Sequence, residues 1–414
     1  MFRIIQNYRK LENHILCLVA AELFIQLINT AFFLILLIYM QKVGYTDYQS
    51  ADFISYRFLG TLLLAFPLGL FLKSRKIKPI FLFGSYTIPI FALFIIYAIE
   101  NHIYWLLYLS NILWGISFLC FQVTALPYIL RNSKREMHTE AISLSFATFS
   151  IAGISSGIII FLLKSINPEL FVEKTILQVI SCLSFLSIFF IARIKIIEEI
   201  PIKTEKRFDL RNFDWRLIFK ALAPTLIIST GAGLTIPFIG IFFYNIHHVD
   251  SHEFALYGSA SAVLVAIGAI LVPKIKRSLG YRVAVPVTQS IAVIALALLA
   301  STEWFKEASF AVDIALICYL IRQPMMNIPG PMVSEISMNY VGRRNREIVS
   351  GLTSAIWSGS WFISSRIFKE LREEGFAYVN VFLITAGLYA LGVIWYYILI
   401  LDYNKREKLG LIEN

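Results

Sequence analysis

Charged residues are scarce in this chain: Asp, Glu, Lys and Arg make up 15% of its 414 residues, whereas a soluble domain carries about 25%. Hydrophobic residues make up 58%, and the mean hydropathy is +0.70. This balance excludes an ordinary soluble globular domain and predicts that most of the chain lies in lipid. The net charge of +10 does not indicate nucleic-acid binding, because the basic residues are spread over seven loops and form no single face.

Residues suited to metal, redox or acid–base chemistry are also few. The four cysteines lie singly in apolar segments without a CxxC pair, so we expect neither a disulfide framework nor a zinc site. His247, His248 and His252 cluster in one loop, at spacings that are not specific for a metal. No GxxxxGK[ST] motif indicates direct use of ATP, and no HExxH motif or paired carboxylates indicate a membrane enzyme. We therefore expect no enzyme activity, no metal and no cofactor.

Long apolar runs are abundant, and twelve are long enough to cross a bilayer as helices, which takes about 20 residues each. Positive charge alternates in step with them. Of the 37 Lys and Arg residues, 28 fall in the two termini and every second loop, and 6 fall in the other loops. Because basic loops stay in the cytoplasm, we predict an all-α integral membrane protein with 12 transmembrane helices and both termini cytoplasmic.

A long polar segment divides the chain near its middle. We predict an N-terminal six-helix bundle over residues 1–192, a cytoplasmic linker over 193–217 and a C-terminal six-helix bundle over 218–414. The halves resemble each other weakly. Aligning Glu140 with Glu347 pairs Ser143 with Ser350, and each glutamate follows a charged loop and precedes a Ser/Gly-rich helix. This order, with the six-plus-six layout, favours two pseudo-symmetric bundles that arose by duplication.

The layout resembles the major facilitator superfamily over nearly the whole chain. The best local match is GAILVPKIKRSLGYR, in which Gly268, Gly280 and Arg282 are similar to the glycine and basic positions of that family's loop signature. The first-half copy, GLFLKSRKIKP, keeps Gly69 but has Lys73 where the family usually has Asp. The resemblance implies that two bundles rock about a central cavity, lined by the first, fourth, seventh and tenth helices, with substrate bound near the midplane.

Polar residues inside the apolar spans are the best functional candidates, because a charge there costs roughly 2.5–3.5 kcal/mol on insertion scales. Glu22, Gln26 and Asn29 are spaced to lie on one face of the first span. That face cannot point at lipid, so we expect it to face the cavity or another helix. Glu22 is a candidate for proton coupling, since apolar surroundings favour a neutral carboxyl. The alternative is a structural carboxylate paired with an arginine.

Arg322 lies near the centre of the tenth span, which we expect to run from about Ser309 to Val333. A guanidinium cannot escape its charge by losing a proton, so it must find an anion. That anion is either a protein carboxylate, such as Glu22, or the carboxylate or phosphate of a substrate. The dense prolines that follow predict a broken helix, which at this depth is tolerated only where it lines protein or a cavity.

Weaker polar and aromatic stripes occur in other spans, and for each of these residues helix packing is the alternative to ligand contact. The complete set of candidate substrate-binding residues is Arg322, Gln26, Asn29, Asn111, Phe118, Gln122, Gln323, Asn327, Tyr244 and Trp357. We expect Arg57 to reach outward to the interface or to pair with Asp52 or Asp313. The GxxxG pattern of Gly153 and Gly157 predicts close helix packing between the bundles.

These features together predict a secondary active transporter of a small organic solute, proton-coupled, with an anionic substrate contacting Arg322. Two alternatives stay open: proton-coupled efflux of lipophilic drug-like compounds, and a membrane receptor or scaffold of the same fold that does not transport. Richness in isoleucine and lysine favours a bacterial source, and hence the cytoplasmic (inner) membrane. We expect the partners to be a small-molecule substrate, a proton and membrane lipid, and the protein to be a monomer that binds no nucleic acid.

Overall fold

The computed structural model describes residues 11–71, 75–134, 137–195, 213–342 and 345–409. These residues form α-helices and two short 3-10 helices, at Ile236–Phe238 and Thr302–Phe305, and the same ranges contain no β-strand. The α-helices are α1 (Asn13–Lys42), α2 (Asp47–Phe71), α3 (Lys78–Glu100), α4 (Tyr104–Gln122), α5 (Ala125–Asn132), α6 (His138–Ile166), α7 (Glu173–Ser184), α8 (Leu186–Ala192), α9 (Trp215–Thr235), α10 (Ile239–His247), α11 (Ser251–Ser301), α12 (Ala311–Asn327), α13 (Gly330–Tyr340), α14 (Arg346–Glu373) and α15 (Tyr378–Lys408).

Nine helical segments among the described residues are long and apolar enough to cross a membrane. A helix satisfies its backbone hydrogen bonds internally, which lipid requires. Large apolar side chains also lie on the outside of the protein, with Ile270 78%, Phe219 74% and Phe146 73% exposed. Such residues are unfavourable in water but suited to contact with lipid. The helices therefore belong to a multi-pass membrane protein.

Two backbone breaks interrupt the longest helical regions. Helix α11 is non-helical at Gly280, where φ is +64°, a conformation that glycine adopts at little cost. The span predicted from about Ser309 to Val333 is divided, since α12 ends at Asn327 and α13 runs from Gly330 to Tyr340. Pro329 precedes α13 and has no N–H to continue the α12 ladder. The predicted break in this span is thus confirmed, whereas its predicted ends were wrong.

The chain forms two compact units. The first contains Met1–Glu205 and Asp250–Ser259, and the second contains Lys206–Val249 and Ala260–Asn414. Most of the linker predicted over residues 193–217 lies outside the described residues. The short segment Asp250–Ser259 groups with the first unit although the rest of α11 does not, which the sequence did not indicate.

Helix α1 is central to the first unit and packs against α6, α7 and α8, while α4 packs against both α2 and α3. The Thr30 hydroxyl of α1 donates to the Ser156 hydroxyl of α6 at 2.9 Å. Helices α2 and α4 approach to backbone contact at two glycines. A Cβ added at Gly115 would lie 2.1 Å from the Arg57 carbonyl oxygen, and one at Gly60 would lie 2.2 Å from the Ile112 carbonyl oxygen. Only glycine permits this crossing.

In the second unit, α9 packs against α14 and α15. Buried hydroxyl pairs join these helices, with Ser229 donating to Ser360 at 2.8 Å and Thr235 donating to Thr385 at 2.7 Å. Each pair satisfies a polar group that would otherwise be costly to bury. Hydroxyl bonds between helices are a common means of association in lipid.

The segment Asp250–Ser259 is held closely within the first unit. A Cβ at Gly157 would lie 2.2 Å from the Ala255 carbonyl oxygen, and the Ser259 hydroxyl donates to the Ile154 carbonyl oxygen at 2.9 Å. Close helix packing is thus present at Gly157, but it lies within the first unit, whereas the prediction placed it between the bundles. Gly157 therefore anchors the first turns of α11 to α6.

A charged cluster holds the same segment at its start. Lys42 Nζ lies 2.8 Å from Glu173 Oε1 and also binds Asp250. The Ser251 hydroxyl donates to Glu173, and His252 Nδ1 lies 2.9 Å from Asp250 Oδ2. The cluster joins the end of α1, the start of α7 and the start of α11.

Acid is expected to weaken this cluster. Burial acts to raise the pKa of Asp250, but hydrogen bonds from Lys42 and His252 outweigh it and hold that pKa below its ordinary value. The ion pair of Asp250 contributes about 1 kcal/mol to stability, as expected for a partly exposed pair. This contribution is complete above the ordinary Asp pKa of about 3.9 and is lost as the pH falls through the lowered pKa of Asp250. Thermal unfolding of wild type and Asp250→Asn should differ at about pH 6 and converge as the pH falls below the ordinary Asp pKa of about 3.9. A pH-independent difference would contradict this assignment.

Candidate functional site

Glu22 is buried on α1, with only 7% of its surface exposed. It follows the start of the helix by nine residues, a rise of about 14 Å. The Ser145 hydroxyl of α6 donates to its Oε2 at 2.7 Å. Among the residues that the structure describes, no lysine or arginine forms an ion pair with Glu22, so the arginine partner considered above is not found there. A carboxylate in this setting takes up a proton without first breaking an ion pair.

Gln26 and Asn29 lie together one turn further along α1, as their spacing predicted. Asn29 Nδ2 donates to Gln26 Oε1 at 3.2 Å. The Asn29 Oδ1 atom in turn accepts a hydrogen bond from Arg57 Nη2 on α2. The amide of Asn29 is thus oriented from both sides, with its oxygen directed at a guanidinium.

The predicted surroundings of Arg57 were wrong. Its side chain is 9% exposed, and its guanidinium carbon lies 3.6 Å from the centroid of the Trp114 ring on α4. Asp52 instead accepts a hydrogen bond from the Tyr108 hydroxyl at 2.7 Å. Arg57 follows the start of α2 by ten residues, about 15 Å, so it lies too deep to reach the interface easily.

Trp114 lies at the centre of an aromatic group. Its ring stacks on Phe32 at 5.7 Å and on Phe118 at 5.8 Å between centroids. Of the other candidates on α4, Asn111 donates to the Leu107 carbonyl oxygen of its own helix at 2.8 Å, and Gln122 is exposed. Phe118 therefore joins the Asn29 and Arg57 neighbourhood through Trp114, whereas Asn111 is satisfied within its helix.

Arg322 is the corresponding buried charge of the second unit and has no measurable exposure. It lies eleven residues into α12, about 17 Å from its start. Nη2 donates to the Tyr389 hydroxyl at 3.2 Å, and Nη1 donates to Gln323 Oε1 at 3.3 Å. Its Nε has no partner in the described structure, and no described carboxylate forms an ion pair with it. The guanidinium therefore has neutral partners only.

The remaining candidates of the second unit surround Arg322 to differing degrees. Gln323 contacts it directly, and Asn327 is exposed and donates to the Gln323 carbonyl oxygen at 2.7 Å. Tyr244 on α10 is half-buried. Trp357 on α14 is 39% exposed and lies 6.3 Å from Trp361 between ring centroids. Neither aromatic residue is a hydrogen-bond partner of Arg322.

Two contributors to these clusters, Ser145 and Tyr389, escaped the sequence analysis, and a third, Arg57, was singled out there but given the wrong partners. Ser145 binds Glu22, Tyr389 binds Arg322, and Arg57 binds Asn29. Arg57 carried a usable signal, because it is a charge within an apolar span. Ser145 and Tyr389 carried none, since a serine or tyrosine in a span is ordinary and only packing brings each to its partner.

Many apolar helices, with ionic groups buried inside them, define a multi-pass membrane protein. The sequence matches the model of the Major Facilitator Superfamily over residues 18–365. The chain belongs to that superfamily, a family of transporters. No curated protein matches the sequence.

Solved structures share the fold at low sequence identity. The POT family transporter PepTSo has a TM-score of 0.75 and 11% identity, with 95% of this chain and 98% of that one covered. The nucleoside transporter NupG has a TM-score of 0.73 and 11% identity, covering 93% and 99%. A D-xylose-proton symporter has a TM-score of 0.73 and 10% identity, covering 93% and 96%. These likenesses show the fold alone.

Proposed function

We propose that this protein is a secondary active transporter that moves a small organic anion across the cytoplasmic membrane of a bacterium by alternating access, coupled to protons. The observation that carries the proposal is the burial of Arg322 without an anionic partner among the described residues. A buried guanidinium that meets only neutral groups is costly. An anionic substrate supplies the missing charge.

The proposed topology has twelve spans. Counting α2 and α14 as spans, and dividing α11 at Gly280, brings the nine segments to twelve. The distribution of Lys and Arg supports cytoplasmic termini. We propose six-helix bundles over residues 1–192 and 218–414, joined by a cytoplasmic linker over 193–217. Both of the bundles that rock against each other in the superfamily then belong to one chain. A monomer is therefore sufficient for transport.

Several neutral groups are proposed to orient the substrate around Arg322. Gln323 Oε1 and the Tyr389 hydroxyl fix two of the guanidinium nitrogens, which leaves Nε as an unused donor. Charge-assisted hydrogen bonds to an oxyanion are about twice as strong as neutral ones. The remaining proposed substrate contacts are Gln26, Asn29, Asn111, Phe118, Gln122, Asn327, Tyr244 and Trp357.

Glu22 is proposed to carry the coupled proton. It is buried, its hydrogen-bond partner is the neutral Ser145 hydroxyl, and no described basic residue forms an ion pair with it. When this carboxylate binds or releases a proton, the net charge of the first unit changes. The likeness of fold to a D-xylose-proton symporter supports proton coupling as the energy source.

Uptake by proteoliposomes tests the anion contact. A panel of radiolabelled carboxylates and phosphate esters should include at least one that wild type accumulates under an imposed pH gradient. Arg322→Ala is expected to reduce its uptake about 10- to 100-fold, the loss expected for hydrogen bonds to a charged group. Arg366→Ala, on α14, is the matched control and should retain uptake.

Arg322→Lys distinguishes charge from geometry, because lysine keeps the charge but loses the planar fork of donors. Partial uptake by this variant would support an anion contact. Uptake by Arg322→Ala at the wild-type rate would refute the contact. Wild-type accumulation of lipophilic cations with no anion transported would favour the alternative, drug-like efflux.

A further inference from the structure

The first unit contains its own buried guanidinium without an anionic partner. Arg57 donates one described hydrogen bond, to the neutral amide oxygen of Asn29, and its guanidinium lies over the Trp114 ring. A guanidinium has five N–H donors. Among the described residues no Asp or Glu forms an ion pair with it. The positive charge and most of the donor capacity are therefore left over.

A second donor beside Arg57 is also unused. Trp114 has no exposed surface, and its Nε1 has no hydrogen-bond partner in the described structure. An indole N–H can only donate, and leaving it buried and unpaired costs about 1–3 kcal/mol. Two neighbouring side chains thus have unused donors, and both lack the same kind of partner: a hydrogen-bond acceptor.

We infer that Arg57, Trp114 and Asn29 form an anion-binding subsite in the first unit that holds the carboxylate or phosphate group of a small organic solute. Two oxygens of such a group match the planar fork of a guanidinium, which makes the pair both strong and directional. A cationic ligand would be repelled by Arg57, and a water molecule would leave the positive charge of the guanidinium without a counter-ion. The stacked rings of Phe32 and Phe118 continue from Trp114 and suit an apolar or aromatic body attached to the anion.

The fold holds these groups in place before any ligand arrives. Gly115 and Gly60 bring α2 and α4 into backbone contact, with Gly115 against the Arg57 carbonyl oxygen itself. Gln26 Oε1 accepts a hydrogen bond from Asn29 Nδ2, which leaves the Oδ1 atom of the same amide directed at Arg57. Such preorganisation lowers the entropy lost on binding. Side chains preorganised in this way are typical of a binding site and are not needed where residues only fill space.

The depth of these side chains along their helices agrees with a ligand site inside the membrane-spanning part of the protein. Arg57 lies about 15 Å along α2, and Trp114 lies ten residues into α4, also about 15 Å. Both are near the middle of a hydrocarbon layer about 30 Å thick. Arg57 retains 9% exposure, whereas Arg322 has none. The Arg57 side chain is therefore the less completely buried of the two. The inference rests on the proposed transport of an organic anion and adds a second set of contacts for it.

Direct binding measurements test the subsite without requiring transport. Purified protein in neutral detergent is titrated calorimetrically with benzoate and phenyl phosphate, and with benzamide as the neutral probe. Wild type should bind one or both anions more tightly than benzamide. Arg57→Gln is expected to weaken anion binding about 10- to 100-fold and to leave benzamide unchanged, while Arg366→Gln should bind like wild type.

Trp114→Phe keeps an aromatic ring at this position but removes the pyrrole part of the indole together with its N–H donor, so it tests the donor while keeping part of the aromatic packing. Anion binding is expected to weaken about 5- to 10-fold, and the melting temperature of the unliganded protein should fall because the smaller ring leaves a cavity. Trp395→Phe, an exposed position on α15, is its control. Wild-type affinity in both Arg57→Gln and Trp114→Phe would overturn the subsite, as would a wild type that binds neither anion.

Further results separate this inference from the proposed function and from lipid binding. Arg57-dependent anion binding with no flux of any anion in proteoliposomes would leave the subsite standing and overturn the transport proposal. Flux that depends on Arg322 but not on Arg57 would support the transport proposal and overturn the subsite. Short-chain phosphatidylglycerol provides a lipid arm, and Arg57-dependent binding of it alone would overturn the assignment to a solute.

Discussion

Glu22→Gln is expected to abolish accumulation driven by a pH gradient while leaving exchange of substrate across the membrane intact. Glutamine keeps the shape and the capacity to accept a hydrogen bond from Ser145, but it cannot bind and release a proton. The variant should therefore resemble the permanently protonated state. Two assays on the same proteoliposomes check this: uptake under an imposed gradient, and counterflow at equal pH on both sides.

Glu169→Gln is the matched control, because Glu169 is exposed between α6 and α7. It should accumulate substrate like wild type. Ser145→Ala removes the hydrogen bond to Glu22 and should move the pH at which uptake is half-maximal without abolishing it. If Glu22→Gln still concentrates substrate in response to a pH gradient, Glu22 is not the coupling residue.

Gly115→Val should cause a large loss of stability in the first unit. The new Cβ would lie 2.1 Å from the Arg57 carbonyl oxygen, and that neighbour is backbone, which cannot rotate away. Helices α2 and α4 must separate, and overpacking of this kind costs about 3 kcal/mol. Thermal unfolding in detergent measures the loss, and reduced monodispersity on size exclusion should accompany it.

Gly387→Val gives the matched comparison for Gly115→Val. Gly387 is also inside a helix, α15, but a Cβ there meets nothing within 4 Å. Helix propensity changes equally in the two variants, so the difference between their melting temperatures isolates the packing contact. Equal melting temperatures would show that α2 and α4 do not depend on backbone contact at Gly115.

The sequence predicted the features that depend on local pattern. Apolar runs located the helices, and the dense prolines after Arg322 predicted the break between α12 and α13. The spacing of Gln26 and Asn29 placed them on one face, where they are hydrogen-bonded. Arg322 was expected to be buried because of its depth, and it has no exposed surface. Each of these follows from helix periodicity or from the cost of charge in lipid, which act within a single segment.

The features that depend on packing between segments were not predictable in this way. Arg57 was expected to reach outward or to pair with Asp52 or Asp313, but Trp114 of α4 and Asn29 of α1 form its surroundings. Gly115 shares a helix face with Asn111 and Phe118 by its spacing, yet it marks a helix crossing. A glycine on a helix face fits both interpretations equally well. Likewise, nothing local distinguishes Asp250–Ser259 from the rest of α11, because its place in the first unit depends on Lys42 and Gly157.

The proposed coupling of an organic anion to protons is tested most directly by recording both fluxes in one experiment. Wild-type protein is placed in liposomes with a pH-sensitive dye trapped inside, and a radiolabelled anion is added outside at equal starting pH. We predict that entry of the anion changes the internal pH in parallel, and that Glu22→Gln removes the pH change but not anion exchange. Anion entry with no accompanying proton movement in wild type, or no entry of any organic anion, would contradict the proposal.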